Sequence, residues 1–317
     1  MRSFLRAART SFLFIGSIVG AGFATGREIA QFFGGGSVWN LWIAAAFTGV
    51  SSFFFLETGA KGAYIDPRVK TGADTAIALS SFVVYAAMIA SAESVLRSAF
   101  GVNGLSLLLA AFCALFSAKS VKPVARLNLI AVPIMIAIVI AVGAKTPFAA
   151  WSGKIRPVYS MAYGAMNMLF SGALMIEEGK GLSKKERIAA SVLSGILLFA
   201  ALFFMFRSIG GAPYPEMPFL RAAENAGLGS IASVVLLLAI LTTMAGCDYL
   251  VAGKLTSVTG DPVLSGALVL LFGVLLSSVG FAPIVRVAYP VVSYLGLAFT
   301  ILAPVYVRCL QYKSVKC

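Results

Sequence analysis

The chain has 317 residues, of which 60% are hydrophobic and 12% charged, and its mean hydropathy is +0.94. Soluble proteins average about 25% charged residues, so this composition indicates an integral membrane protein. The formal net charge of +13 does not indicate nucleic-acid binding, because Lys and Arg are scattered between apolar runs. The sequence contains no histidine, and its four cysteines have no paired spacing. Neither a zinc site nor a disulfide framework is therefore expected.

Ten apolar runs are long enough to be considered as membrane spans, at about 20 residues for each crossing. The sequence thus predicts an all-α integral membrane protein with ten transmembrane helices in a single domain, 1–317. The predicted spans are 10–33, 37–57, 76–98, 103–118, 126–144, 156–178, 187–207, 229–252, 263–280 and 283–307. Between spans seven and eight, Pro218–Glu224 predicts either a short surface helix that acts as a lid or a plain linker.

Basic residues indicate the orientation. Most Lys and Arg residues fall in alternate connecting segments, on the same side of the membrane as Arg2, Arg6 and Arg9. Because basic residues accumulate in cytoplasmic loops, the sequence predicts that both termini are cytoplasmic.

The first span has an unusual glycine content, with Gly16, Gly20, Gly22 and Gly26 within eleven residues. Each glycine lowers helix propensity by about 1 kcal/mol relative to alanine. The stretch is therefore either a closely packed helix seam or an unwound segment whose freed backbone groups bind a ligand. We favour the unwound segment.

Span six repeats this pattern, because it places Gly164, Asn167, Ser171 and Gly172 in an apolar segment. Paired interrupted segments in the two halves of a chain are typical of transporters built on an inverted repeat. Ten spans divide into five plus five, which predicts repeat one at about 8–145 and repeat two at about 153–310. Spans one and six are then expected to be unwound at mid-membrane.

The stretch from Ile15 to Glu28, which continues into Gln31-Phe32-Phe33, resembles the first helix of the YkvI-type bacterial membrane proteins. Tyr163 followed by Asn167, and Thr242-Thr243, are also similar to that group of amino-acid permeases in the amino acid–polyamine–organocation superfamily. The resemblance implies the LeuT fold, a five-plus-five inverted repeat in the bacterial cytoplasmic (inner) membrane. It further implies secondary active transport of a small amino acid or similar zwitterion by alternating access, and not an enzyme.

The resemblance also implies a sodium site for the coupling ion, with no other cofactor. Its ligands would be backbone carbonyls and threonine hydroxyls from Gly16, Val19, Ala239, Thr242 and Thr243. A hard cation needs several oxygen ligands, and these groups supply them without a costly buried charge. A Thr-Thr pair that only bonds carbonyls of its own helix is the alternative, and the nearby glycine break favours the ion site.

The substrate is expected to lie between the two interrupted segments. Free amides where span one restarts, at Ala21, Gly22 and Phe23, suit a substrate carboxylate. In span six, carbonyls and side chains are expected to surround the ammonium group and the side chain of the substrate, at Asn167, Phe170, Ser171 and Gly172. Tyr85 resembles a substrate-binding tyrosine of some relatives, and an aromatic residue in a packed bundle explains it equally well.

Charged residues within spans are costly and are usually functional or paired. Here they are Arg27 and Glu28 in span one, Glu93 in span three and Asp248 in span eight. Arg27 is predicted to form an outer gate with Glu93 or another acid, and Asp248 to act as a coupling or gating acid. The region around Phe23 lacks a side-chain oxygen for a second sodium ion, which leaves proton coupling through Glu93 or Asp248 as an alternative.

A small-molecule substrate and the lipid bilayer are the expected partners, and the sequence leaves the oligomeric state open. No Walker-type G-x-x-x-x-G-K-[ST] motif is present, so a nucleotide-driven pump is not expected. The competing function is a passive channel or pore for small solutes or ions, which would need continuous polar rings along a path.

Overall fold

Thirteen α-helices occupy the parts of the chain that the computed structural model describes, residues 2–61, 67–117, 122–146, 153–210 and 217–314. Within these ranges the only β-type pairing is an isolated parallel bridge between Gly36 and Lys154. The helices are α1 (Arg2–Ile18), α2 (Ala21–Ala24), α3 (Arg27–Phe33), α4 (Trp39–Ala60), α5 (Pro67–Phe100), α6 (Leu105–Ser117), α7 (Lys122–Lys145), α8 (Pro157–Gly179), α9 (Lys184–Ile209), α10 (Pro218–Asn225), α11 (Gly229–Thr259), α12 (Pro262–Ser277) and α13 (Phe281–Ser314).

These helices follow the order of the predicted spans. Three short helices, α1 to α3, fall in span one, and α4 to α9 fall in spans two to seven. Helices α11 to α13 fall in spans eight to ten, while α10 is the short helix predicted near Pro218. Five helices, α4, α5, α9, α11 and α13, are long and apolar enough to cross a membrane by length and composition. The chain is therefore a multi-pass membrane protein, and the exact number of ten spans stays a prediction.

The first span is interrupted twice. Val19 and Gly20 separate α1 from α2, and Thr25 and Gly26 separate α2 from α3. Gly26 has a φ of 73°, which lies in the left-handed region that glycine adopts without a steric penalty. The low helix propensity of the glycine-rich stretch thus accompanies three short helical segments in place of one long helix.

Span six differs from its prediction, because α8 runs without interruption from Pro157 to Gly179. Its glycines face α4 at close range. A Cβ on Gly164 would meet the Thr48 hydroxyl, and a Cβ on Gly172 would lie 2.6 Å from the ring of Phe55. These glycines therefore allow close helix packing, and the expected unwinding of span six is absent from this structure.

The polar residues of span six are also compatible with a continuous helix. Asn167 donates from Nδ2 to the Tyr163 carbonyl, one turn earlier in α8, at 3.0 Å. The hydroxyl groups of Ser171 and Ser17 are hydrogen-bonded at 2.8 Å, which links α8 to α1. Small polar side chains of this kind commonly connect helices in membranes, so their presence did not require a broken helix.

The helices pack in two groups with two helices that contact both. Helices α1, α4, α8 and α9 pack together in one group, and α5, α6, α11 and α12 in the other; α7 and α13 contact both groups. The contact of α4 with α8 has a counterpart, five spans later, in that of α9 with α1. The contact of α5 with α12 corresponds in the same way to that of α11 with α6. This is the pattern that an internal repeat of five helices would produce.

Helices α4 and α8 approach each other most closely near their C-terminal ends. A Cβ on Gly59 would meet the carbonyl oxygen of Ile176, and a Cβ on Gly179 would meet that of Leu56. The two helices therefore touch backbone to backbone, which small residues allow at membrane helix interfaces.

Candidate functional site

A cavity of about 420 Å³ lies at the first break of span one, with walls from both helix groups. Helices α1, α2, α3 and α8 line one part of it, while α5, α11 and α13 line the rest. Binding sites for small molecules usually have volumes of about 300–1,000 Å³, so the cavity has the size of a small-solute site.

Eight of the predicted site residues line this cavity. Four belong to the predicted ion ligands and four to the predicted substrate site: Gly16, Val19, Thr242, Thr243, Gly22, Phe23, Asn167 and Phe170. Residues that are far apart in the sequence, on α1, α2, α8 and α11, are therefore brought to one place.

The predicted ion ligands lie where α1 ends beside α11. The Gly20 amide donates to the Ile18 carbonyl at 2.7 Å, whereas in an uninterrupted helix it would donate to the carbonyl of Gly16. A Cβ on Gly20 would lie 3.2 Å from the Thr243 hydroxyl, so the break and the threonine pair are in close contact. The carbonyl of Gly16 is thereby released from its usual helical partner.

The remaining ion ligand, Ala239, is not among the residues that line the cavity. Its carbonyl accepts a hydrogen bond from the Thr242 hydroxyl at 3.1 Å. This is the bond to its own helix that the sequence left open as an alternative for the threonine pair. Because the hydroxyl donates its hydrogen in this bond, the lone pairs of the Thr242 oxygen stay available to a cation.

The carboxylate site predicted from Ala21, Gly22 and Phe23 stays a prediction, and the surroundings of this segment do not favour it. Helix α2 has four residues, too few to build up a helix dipole. A Cβ on Gly22 would meet Glu28 Oε2, so the protein's own carboxyl group lies against this segment. An ionised substrate carboxylate at the same place would be repelled by Glu28.

Glu28 is a charged residue of span one to which the sequence assigned no specific role. It lies on α3, is only 5% exposed and lines the cavity. Its Oε1 atom has no hydrogen-bond partner among the described residues, and the Tyr163 hydroxyl lies beside the carboxyl group. In the sequence, its functional role is indicated by its position as an acid within an apolar span, two residues after the last glycine of the interrupted stretch.

Ala21, Tyr85, Ser171 and Gly172 of the predicted substrate site are not among the residues that line the cavity. Tyr85 is fully buried on α5 and packs on α12, because a Cβ on Gly273 would lie 2.5 Å from its ring. Gly172 faces α4, and Ser171 reaches the cavity only through its bond to Ser17. In this structure Tyr85 and Gly172 serve helix packing.

The predicted gating and coupling residues have separate positions. Glu93 accepts hydrogen bonds from the Gly104 amide at 2.9 Å and the Ser106 hydroxyl at 2.6 Å. It therefore holds the start of α6, and these contacts do not involve Arg27. Asp248 is 2% exposed on α11 and is not among the residues that line the cavity.

Arg27 begins α3, next to the second break of span one, and α10 covers this break. The Phe219 amide donates to the Thr25 carbonyl at 3.1 Å. A Cβ on Gly26 would lie 2.9 Å from Ile209 and 3.0 Å from Phe219. The predicted surface helix is therefore docked on the interrupted span, directly beside the segment that carries Arg27.

Fold and cavity together define a multi-pass helical membrane protein with an internal cavity of the size of a small-solute site. No protein-family model matches the chain. The chain is similar to the uncharacterized membrane protein YkvI of Bacillus subtilis (strain 168), with 24% identity over 338 residues that cover 92% of this chain and 94% of YkvI. This similarity confirms the resemblance predicted from the first span.

A solved structure shows a similar fold. It is that of Mhp1, a nucleobase-cation-symport-1 family transporter, in a closed conformation with bromovinylhydantoin bound. The TM-score is 0.60 at 14% sequence identity, and the match covers 89% of this chain and 74% of Mhp1. The chain therefore has the LeuT-like arrangement of helices, as the sequence resemblance implied.

Proposed function

We propose that this protein is a secondary active transporter of a small amino acid or a similar zwitterion in the bacterial cytoplasmic membrane. Transport is coupled to sodium, or alternatively to protons, and proceeds by alternating access. The carrying observation is the cavity of about 420 Å³ at the break in span one, with walls from both helix groups. Movement of one group against the other would expose such a site to either side of the membrane in turn.

The helix contacts support a repeat as the basis of this movement. Each half, 8–145 and 153–310, supplies two helices to each group. The matching contacts of α4 with α8 and of α9 with α1 relate the halves to one another. In transporters built on such repeats, one repeat or helix bundle moves against the other around a fixed site.

Sodium is the proposed coupling ion because of the oxygens at the junction of α1 and α11. The Gly16 carbonyl lacks its usual helical donor, and the Thr242 and Thr243 hydroxyls line the same cavity. Several neutral oxygens at one place suit a hard monovalent cation in a membrane. Among the described residues no cluster of three or more Cys, Asp or Glu residues forms a metal site, so these oxygens are the candidates.

We expect replacement of both Thr242 and Thr243 by alanine to remove sodium dependence and leave the protein folded. The double variant removes two oxygens and leaves the backbone of α11 intact. The measurement is thermal stability of purified protein in detergent, with sodium replacing potassium at constant ionic strength. A ligand at about 100 times its Kd stabilises the folded state by roughly 2.7 kcal/mol, and this increment should vanish in the variant.

Thr256→Ala is the matched control, because Thr256 lies on the same helix and bonds its own Ala252 carbonyl at 2.7 Å. It does not line the cavity. An undiminished sodium shift in the double threonine variant would contradict the ion site. Saturable uptake in proteoliposomes would distinguish the proposed transporter from a passive channel, whose flux rises in proportion to solute concentration.

A further inference from the structure

Glu28 is the only charged residue among the described residues that line the cavity. It is 5% exposed, and no described Lys or Arg forms an ion pair with it. Oε1 accepts no hydrogen bond from the described residues. A buried carboxylate that lacks a positively charged partner is costly even with the Tyr163 hydroxyl beside it, so this group is suited to a ligand that brings a positive charge or hydrogen-bond donors.

The surroundings of Glu28 favour an organic cation. The hydroxyl of Tyr289 and Glu28 Oε2 both approach the position that a Cβ on Gly22 would take. The rings of Phe23 and Phe170 line the same cavity. A protonated amine has three donors for the carboxylate and hydroxyl oxygens, and aromatic rings attract cations further.

We propose that Glu28 binds the protonated amino group of the transported substrate, and that the substrate class is small amines, with amino acids included. This inference rests on the proposed transport function and names the recognition element of its site. It reverses the orientation predicted from the sequence, in which the restart of span one bound a carboxylate. The carboxylate of an amino acid is then directed away from Glu28 and α3.

The test compares three kinds of probe for wild type and Glu28→Gln, using the purified full-length protein. The first are alanine, leucine and phenylalanine. The second are the amines that lack the carboxylate: ethylamine, isopentylamine and phenethylamine. The third are the acids that lack the amino group: propionate, isocaproate and hydrocinnamate. Affinities are measured by calorimetric titration, and uptake is measured in proteoliposomes.

Wild type is expected to bind at least one amino acid and its matching amine, and to bind the matching acid far more weakly. Loss of one partner from a buried charged contact reduces affinity by about 30-fold or more, and we expect this loss for amino acids and amines in Glu28→Gln. Glu177→Gln is the control, because it removes an exposed carboxylate that pairs with Lys180 outside the cavity. It should bind like wild type.

Four results would overturn the inference. Unchanged amine affinity in a folded Glu28→Gln protein would refute it and leave transport standing, as would preference of wild type for the acids. Intact binding combined with loss of pH-dependent uptake would assign Glu28 to a coupling proton and not to the substrate. Absence of both binding and saturable uptake for every probe in wild type would refute the proposed function as well.

Discussion

Alanine in place of Gly22 is expected to abolish substrate binding in a protein that remains folded. The new methyl group would occupy the space of the Glu28 carboxyl group, and it would lie 3.3 Å from the Tyr289 hydroxyl. The Glu28 carboxyl is the far end of a flexible side chain and can turn away. The substitution then changes the free energy of unfolding only a little. The carboxyl group, however, leaves the position from which it faces the cavity.

This outcome separates the two interpretations of the glycine-rich stretch. If Gly22 only allowed helices to pack, its replacement would lower thermal stability and transport together. If the stretch forms the site, affinity is lost at nearly unchanged stability. Titration of the variant with the amino acids and amines, beside an apparent melting temperature in detergent, measures both quantities. Gly253→Ala on α11 is the control, because its added Cβ would meet no atom within 4 Å.

Alanine in place of Gly59 is expected to destabilise the protein strongly, because it disturbs the packing of α4 against α8. Its Cβ would meet the carbonyl oxygen of Ile176 on α8, and a backbone atom of a packed helix cannot turn aside. Overpacking of a well-packed interior typically costs about 1–3 kcal/mol. The same change at an open helical position would instead stabilise by about 0.5–1 kcal/mol through helix propensity.

The direction of the stability change in Gly59→Ala therefore shows whether Gly59 lies in a backbone contact or at an open helical position. We expect a lower apparent melting temperature for Gly59→Ala and for Gly179→Ala, which meets Leu56 from the other helix. Gly253→Ala should match or exceed wild type. A melting temperature of Gly59→Ala at or above that of wild type would show that α4 and α8 are not in backbone contact there.

The sequence predicted a break in span one because several glycines stand close together, and their low helix propensity acts locally; in the structure, α1, α2 and α3 are separate helices there. The same residue types misled at span six. Whether Gly164 and Gly172 break a helix or admit a neighbour depends on Thr48 and Phe55 of α4, and one sequence does not reveal which helix lies opposite. The sequence therefore could not predict that α8 is continuous.

The candidate site was predictable in part. The threonine pair on α11 was placed beside the break of span one by family resemblance, and Thr242 and Thr243 do line the cavity. Glu28 was noted as a charge within span one, but no partner or ligand could be assigned to it from the sequence. Its significance comes from the fold of α2 and α3, which turns the carboxyl group back onto Gly22. A chain that folds back on itself in this way leaves no periodic pattern of residues in the sequence.

The backbone contact between α4 and α8 has a consequence for motion. Sliding of two helices is normally absorbed by side chains that change rotamer, and at Gly59 and Gly179 no side chains lie between the backbones. These two helices are therefore expected to move as one rigid unit, so that displacement of one also displaces the other. We expect α4 and α8 to move together when the cavity opens. The relative sliding of helices would then occur at other contacts in the bundle.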